Sequence, residues 1–262
     1  MKLEVLTAAM NQCDHSLRER MNVDCDLIIA NQCDKWEYTQ SDKTRMLSTA
    51  TRGVGVNRNL AIMLSDADIL LFADDDVTYY DKELSGVLSA FKKRPDADVI
   101  VFSLDYTKNG EIIEKRRCKS KRLRLHNALR YGAARIAVRK SSIIKHGITF
   151  STLFGGGCIY GSGEDSLFLC DCFRAGLKVY SDPYLLGNCS KDGSTWFGGY
   201  NEKFMFDKGA FIACAFPKTK HLMKWYFAYK FSKRSSLSLG STLGCMNRGI
   251  KAFKTLSGFD DK

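Results

Sequence analysis

Apolar and polar positions alternate along the chain in blocks that predict an α/β fold. Short apolar runs at Leu3–Leu6, Asp26–Ala30, Ile69–Ala73 and Val99–Leu104 have the length and flanks of buried strands. Helical spacing recurs between them. Asn59–Ser65 carries Leu60, Ile62, Met63 and Leu64, and Lys82–Lys93 sets Leu84, Val87, Leu88 and Phe91 on one face before Pro95. His15–Asn22 is polar and predicts a surface helix, with His15 solvated. Leu167–Ala175 predicts another helix, stopped by Gly176. Asn109-Gly110, between two extended runs, predicts a hairpin turn. Val179–Pro183 reads as a strand running into a turn.

The run Ile69–Val77, ILLFADDDV, organises the rest. Three adjacent carboxylates cannot be buried unpaired, so Asp74, Asp75 and Asp76 belong where the strand emerges at its C-terminal end, the rim on which open α/β sheets bind ligands. Hard divalent cations take oxygen ligands and often complete their shell with substrate phosphates. Two readings follow: a Mg²⁺ or Mn²⁺ site gripping a diphosphate, or an acidic surface turn. Just upstream, Gly53 and Gly55 form a glycine loop before a helix start, an arrangement that favours anions, with Arg52 and Arg58 placed to clamp a phosphate. Downstream, Gly155–Gly157, Gly161 and Gly163 lead into Glu164 and Asp165. Acidic residues at a helix start complement its dipole. A general base presented by a mobile loop is the functional reading of the same pair.

Charge is unevenly distributed. The 262 residues carry a net charge of +11. Lys115–Lys145 holds twelve Lys/Arg and no acid, and Pro217–Lys262 holds ten against Asp260 and Asp261. Taken from the totals of 40 and 29, these leave 18 basic and 27 acidic residues elsewhere. A basic patch on an acidic body suits a polyanion, either anionic lipid or nucleic acid. No helix-turn-helix, zinc-finger or RNP-type motif is present, so no nucleic-acid partner is expected. The tail run LMKWYFAYKF, residues 222–231, suits a membrane interface or a helix packed on the domain. Residues 187–204, rich in Gly, Ser and aromatics, suit an acceptor or lid loop. The ten cysteines contain no C-x-x-C pair, and free thiols are expected. No apolar run is long enough to cross a bilayer.

Three stretches together resemble family 2 glycosyltransferases of the GT-A fold, and more narrowly the small bacterial members that build capsular or surface polysaccharides. GVGVNRNLAI (53–62) resembles the family's glycine and Arg-Asn segment, FADDDV (72–77) its D-x-D region, and GSGEDSLF (161–168) its Glu-Asp motif. STWFGGYNEKFMFDKGA (194–210) resembles a segment of the narrower group. The resemblance spans residues 1–216. It implies a Rossmann-like, mixed but mostly parallel sheet flanked by helices, with residues 217–262 as a basic helical extension. It implies Asp74 and Asp76 as ligands of Mn²⁺ or Mg²⁺, with Asp74 and Asp75 near the donor. Asp165 would be the base of an inverting reaction, with Glu164 beside it and its carboxylate kept ionised by the helix N-terminus. Thr7, Ala8 and Asn31 would lie at the strand ends that hold the nucleotide, and Arg52 and Arg58 on the phosphate side. The donor would be a nucleotide sugar, a UDP-sugar, and the acceptor a lipid-linked saccharide. The enzyme would be cytoplasmic and peripheral on an anionic membrane surface. Two features depart from the family. No histidine lies between His146 and His221 to assist the metal, leaving Asp192 or Ser190 to substitute. The Q-x-x-R-W motif of processive synthases is missing, which implies transfer of one sugar. The alternatives are a non-catalytic scaffold, a nucleic-acid-binding protein on a degenerate core of this kind, and a nucleotidyltransferase; the last is disfavoured because LTAAMNQCD has no glycine and no lysine after the first strand.

Overall fold

The computed structural model describes residues 1–192 and 198–257. Its strands are β1 (Leu3–Met10), β2 (Asp26–Gln32), β3 (Glu37–Ser41), β4 (Thr44–Thr49), β5 (Ile69–Asp74), β6 (Val77–Tyr79), β7 (Val99–Lys108), β8 (Glu111–Arg116), β9 (Lys121–Arg122), β10 (Ile136–Arg139) and β11 (Val179–Ser190). The helices are α1 (Leu17–Arg20), α2 (Val54–Leu64), α3 (Ser85–Lys93), α4 (Leu125–Ala128), α5 (Lys140–Lys145), α6 (Glu164–Arg174), α7 (Glu202–Ala215), α8 (Lys220–Ser232) and α9 (Leu239–Ser257).

The strands form one sheet in the order β3-β4-β2-β1-β5-β10-β7-β11-β6, with β8 on β7 and β9 on β11. β4, β2, β1 and β5 are a parallel core. β10 runs against both its neighbours, so β7 and β11 point the same way as that core. Both faces of the sheet are covered, which explains why β5 reads as an unbroken apolar run. Ile69 and Leu71 face a core completed by Val87, Ala90 and Phe91 of α3. Leu70 and Phe72 face the opposite core, closed by Ala61 and Ile62 of α2 and Phe168 and Leu169 of α6. Glu4, polar within an apolar strand, is buried against Arg45 at 2.5 Å and the Ser65 hydroxyl.

Several boundaries move for visible reasons. α2 begins at Val54, so Gly55 lies inside the helix and not in a loop. A Cβ there would meet the Ser151 carbonyl oxygen at 2.1 Å; the bare backbone lets α2 lie against residues 150–151. α3 starts at Ser85, not Lys82, because the Asp81 carboxylate accepts the Glu83 and Ser85 amides and Leu84 takes φ 52°. The β7–β8 turn is the expected hairpin, with Asn109 and Gly110 both at positive φ. β11 continues through Pro183 to Ser190, accommodating it within an irregularity of its pairing with β7 between Ser181 and Leu185. The helix expected at His15–Asn22 is the single turn α1.

α7, α8 and α9 share a third core with Phe154, Tyr160 and Leu167. The boundary expected at 216 therefore falls between two helices of one cluster. α7 and α9 cross closely at two glycines: a Cβ on Gly209 would meet the Met246 carbonyl oxygen at 2.1 Å, and one on Gly249 that of Phe206 at 1.9 Å. Of the loop expected at 187–204 and the motif at 194–210, residues 193–197 lie outside the described residues.

Candidate active site

A cavity of about 430 Å³ opens at the C-terminal ends of β1 and β5, where the parallel core turns outward. Ala8 and Ala9 of β1, Asp74, Asp75 and Asp76 at the end of β5, and Glu164 and Asp165 at the head of α6 all line it. Val54, Asn57 and Arg58, from the first turns of α2, line it as well. Sheet order explains the meeting. β1 pairs with β5 so that Ala8 stands opposite Asp74, while α2 and α6 cover the same face of the sheet and deliver their first turns to one rim.

Arg58 sits at the centre, with its side chain 3% exposed. Nη2 donates to Asp74 Oδ1 at 2.7 Å; Nη1 donates to Asp165 Oδ1 at 2.8 Å and to Glu164 Oε1 at 3.3 Å. The guanidinium lies 5.1 Å from the centre of the Phe150 ring. Burial works against its charge, but Asp165, Asp74 and Glu164 outweigh this and raise its pKa. Next to it Asn59 grips both backbone groups of Phe150, donating to its carbonyl at 2.9 Å and accepting its amide at 2.8 Å. Two consecutive residues of α2 thus set the guanidinium and its aromatic platform.

The carboxylates are not equivalent. Burial and the neighbouring Asp74 push Asp76 up to about 6 and move Asp75 in the same direction. Asp165 was expected to stay ionised at the head of its helix. Instead burial and Glu164 push it up to about 7 against the pull of Arg58, because one helix end is a weaker influence than desolvation. Glu164 Oε2 accepts the Gly163 amide at 3.0 Å. Behind this loop Asp207 of α7 accepts the Gly161 amide at 3.0 Å and pairs with Lys203 at 2.5 Å.

Ala8, Arg58, Asp74, Asp75, Asp76, Glu164 and Asp165 all line the cavity; Thr7, Asn31 and Arg52 do not. Thr7 is fully buried with its hydroxyl 3.5 Å from the Met21 sulfur, because alternation along β1 turns it onto the sheet face opposite α2. Asn31 is consumed as a staple, accepting the Gln12 amide and donating to the Gln12 carbonyl and Ser48 Oγ, each at 2.9 Å. Arg52 is half exposed and pairs with Asp34 at 2.8 Å. Asp192 and Ser190 hydrogen-bond to each other, and Asp192 also accepts the Asn109 amide. Among the described residues no group of three or more His, Cys, Asp or Glu is arranged to hold a metal ion. All ten cysteines are free.

Gln32, Asn57 and Lys191 line the cavity without having been singled out in the sequence. The signal for Asn57 was helical spacing: Val54, Asn57 and Arg58 fall at i, i+3 and i+4 on one face. Its amide nitrogen donates to the Ala30 and Ala9 carbonyls at 2.9 and 3.3 Å, leaving Oδ1 buried and unpartnered. For Gln32 the signal was its place beside Asn31, since neighbours on a strand face opposite sides.

No curated protein matches the chain in sequence. Solved structures do match in fold. S. aureus TarS 1-349 in complex with UDP-GlcNAc superimposes with a TM-score of 0.64 at 16% identity, over 98% of this chain and 84% of that one. The complex of the same fragment with UDP gives 0.61 at 15% identity, covering 100% and 93%. A longer S. aureus TarS structure gives 0.61 at 16% identity, and there the match spans 97% of this chain and 50% of the other. The sheet and its flanking helices are thus of the GT-A type. The model of the family described as "Glycosyl transferase family 2" matches residues 13–150, more than half the sequence and inclusive of Arg58 and the three aspartates. The chain belongs to glycosyl transferase family 2 and is a glycosyltransferase.

Proposed function

We propose that the protein transfers one sugar, with inversion, from a UDP-sugar to a saccharide carried on a lipid diphosphate, in the assembly of a surface polysaccharide. One observation carries this reading: Arg58 draws Asp74, at the end of β5, and Asp165, at the head of α6, to the same guanidinium within one cavity. Donor carboxylates and a candidate base thus line one cavity and are tied together through a single guanidinium. The S. aureus TarS complexes with UDP-GlcNAc and UDP support a uridine nucleotide as the donor.

The acceptor hydroxyl attacks the anomeric carbon from the face opposite the diphosphate. The new C–O bond forms as the bond to the diphosphate oxygen breaks, and the hydroxyl proton passes to the Asp165 carboxylate. Its raised pKa suits a base working near neutrality. Glu164, tied to the Gly163 amide and to Arg58, orients that end of α6. Asp74 and Asp76 fit a divalent cation as two hard oxygen donors on the cavity wall, leaving the rest of a shell to donor phosphates. Asp74 and Asp76 would hold Mn²⁺ or Mg²⁺ with the donor phosphates completing the shell, and the ion would supply Lewis-acid relief of charge on the leaving diphosphate.

A thermal-shift screen of nucleotide sugars with Mn²⁺, followed by product analysis with the stabilising donor, tests the reading. Stabilisation by a UDP-sugar above other nucleotides, and an anomerically inverted product, are expected. Indifference to every UDP-sugar, or a product that retains configuration, would overturn it.

A further inference from the structure

α8 divides its side chains in two. Met223, Phe227, Ala228 and Phe231 turn inward onto the core shared with α7 and α9. Leu222, Trp225, Tyr226 and Tyr229 do not. They fall at i, i+3, i+4 and i+7, a single stripe, and are 70%, 56%, 55% and 59% exposed. Scattered apolar residues on a surface are ordinary, but a contiguous stripe of large ones marks an interaction face.

Its surroundings identify the partner. The Lys233 ammonium lies 4.1 Å from the centre of the Tyr229 ring, and that of Lys230 lies 6.0 Å from the Tyr226 ring, so positive charge borders the stripe. Residues 217–257 hold nine Lys/Arg and no Asp or Glu. Trp and Tyr beside lysines combine an apolar body with groups that stay at the level of lipid headgroups. A thirteen-residue helix is about 20 Å long and suits lying flat. Among the described residues no helix is long and apolar enough to cross a membrane. A second copy of the chain is a poor occupant. A twofold contact through α8 would set the lysines of one copy against those of the other.

We propose that the Leu222–Trp225–Tyr226–Tyr229 face of α8 docks on an anionic lipid bilayer, aromatics in the headgroup region and Lys230 and Lys233 on acidic lipid. The basic segment Lys115–Lys145 is not needed for it. Part of that segment is internal, Arg135 being buried against the Phe102 carbonyl at 2.8 Å. The docking face stands on α8 alone, whatever the cavity transfers.

The full chain is cosedimented with vesicles of phosphatidylcholine alone and of phosphatidylcholine mixed with phosphatidylglycerol, at low and high salt. Binding is expected to the anionic vesicles and to weaken in salt. A lysine near such a surface is worth about fivefold in affinity, so Lys230→Gln/Lys233→Gln should bind about 25-fold less tightly. Trp225→Ala/Tyr229→Ala should lose most binding at any salt. Both variants should keep the wild-type circular dichroism and melting temperature, because the altered residues are exposed. Failure of the wild type to bind, equal binding of all three proteins, or equal binding to neutral vesicles would overturn the proposal. So would a dimer, seen by sedimentation velocity, that the aromatic variant abolishes while vesicle binding is unaffected.

Discussion

The Arg58 guanidinium holds Asp165 at 2.8 Å through Nη1 and Asp74 at 2.7 Å through Nη2, joining residues 107 and 16 positions away in the chain. Removing it leaves a crowd of carboxylates with no buried counter-charge. Arg58→Ala should cost about 3 kcal/mol at neutral pH, the lower end for a broken buried pair because Asp74 is partly exposed. The loss should shrink as pH falls and the carboxylates become neutral. Arg58→Lys should recover little, since one ammonium lacks the planar fork that serves both sides. Urea unfolding at two pH values measures both effects.

Asp165→Asn should lower turnover by about 10²–10⁴-fold while the variant still binds donor, the range expected for loss of a general base. The pH profile carries a second expectation. The base must be deprotonated, and burial pushes Asp165 up to about 7. In the wild type kcat/KM should therefore fall as pH drops through about 7 and level off above it. A profile flat down to pH 5 would remove Asp165 from the role.

Asp76→Ala should abolish the Mn²⁺-dependent part of UDP binding, measured by calorimetry with and without a chelator. Chelation of the wild type should produce the same loss. Thr7→Val, by contrast, should leave donor affinity unchanged, because the Thr7 hydroxyl faces Met21 in the core on the far side of the sheet from α2.

Two glycines of α9 should respond oppositely to the same substitution. Gly249→Ala drives a methyl group into the Phe206 carbonyl and should destabilise by about 1–3 kcal/mol. Gly244 has nothing within 4 Å of a notional Cβ, so Gly244→Ala should stabilise by up to about 1 kcal/mol through helix propensity. Thermal denaturation of the pair separates close crossing from backbone entropy.

Local signals were legible in the sequence. β5, the Asn109-Gly110 hairpin and the α6 stop at Gly176 follow from apolar run length and turn chemistry within a few residues. So does the placement of Asp74–Asp76 at a strand's end. What escaped depends on distant partners. Nothing near Arg58 says that its guanidinium meets two other segments, or that Asn59 binds the backbone of Phe150, 91 residues away. Thr7 and Asn31 were misplaced relative to the cavity because side-chain direction at a strand's end depends on sheet register, which a single strand does not reveal. Asp165 looked like an ordinary helix-start acid. Its burial comes from segments that converge only in the folded chain.

The hydrogen bond from the Gly161 amide to Asp207 is the strut between α7 and the loop before Glu164 and Asp165. α7 supplies that aspartate, and α7 is itself clamped to α9 through Gly209 and Gly249. Chemistry at the rim of the sheet is therefore mechanically answerable to the far end of the polypeptide. A protein shortened after residue 216 would keep every residue of the cavity and Asp207 itself, yet lose the α9 crossing that seats α7.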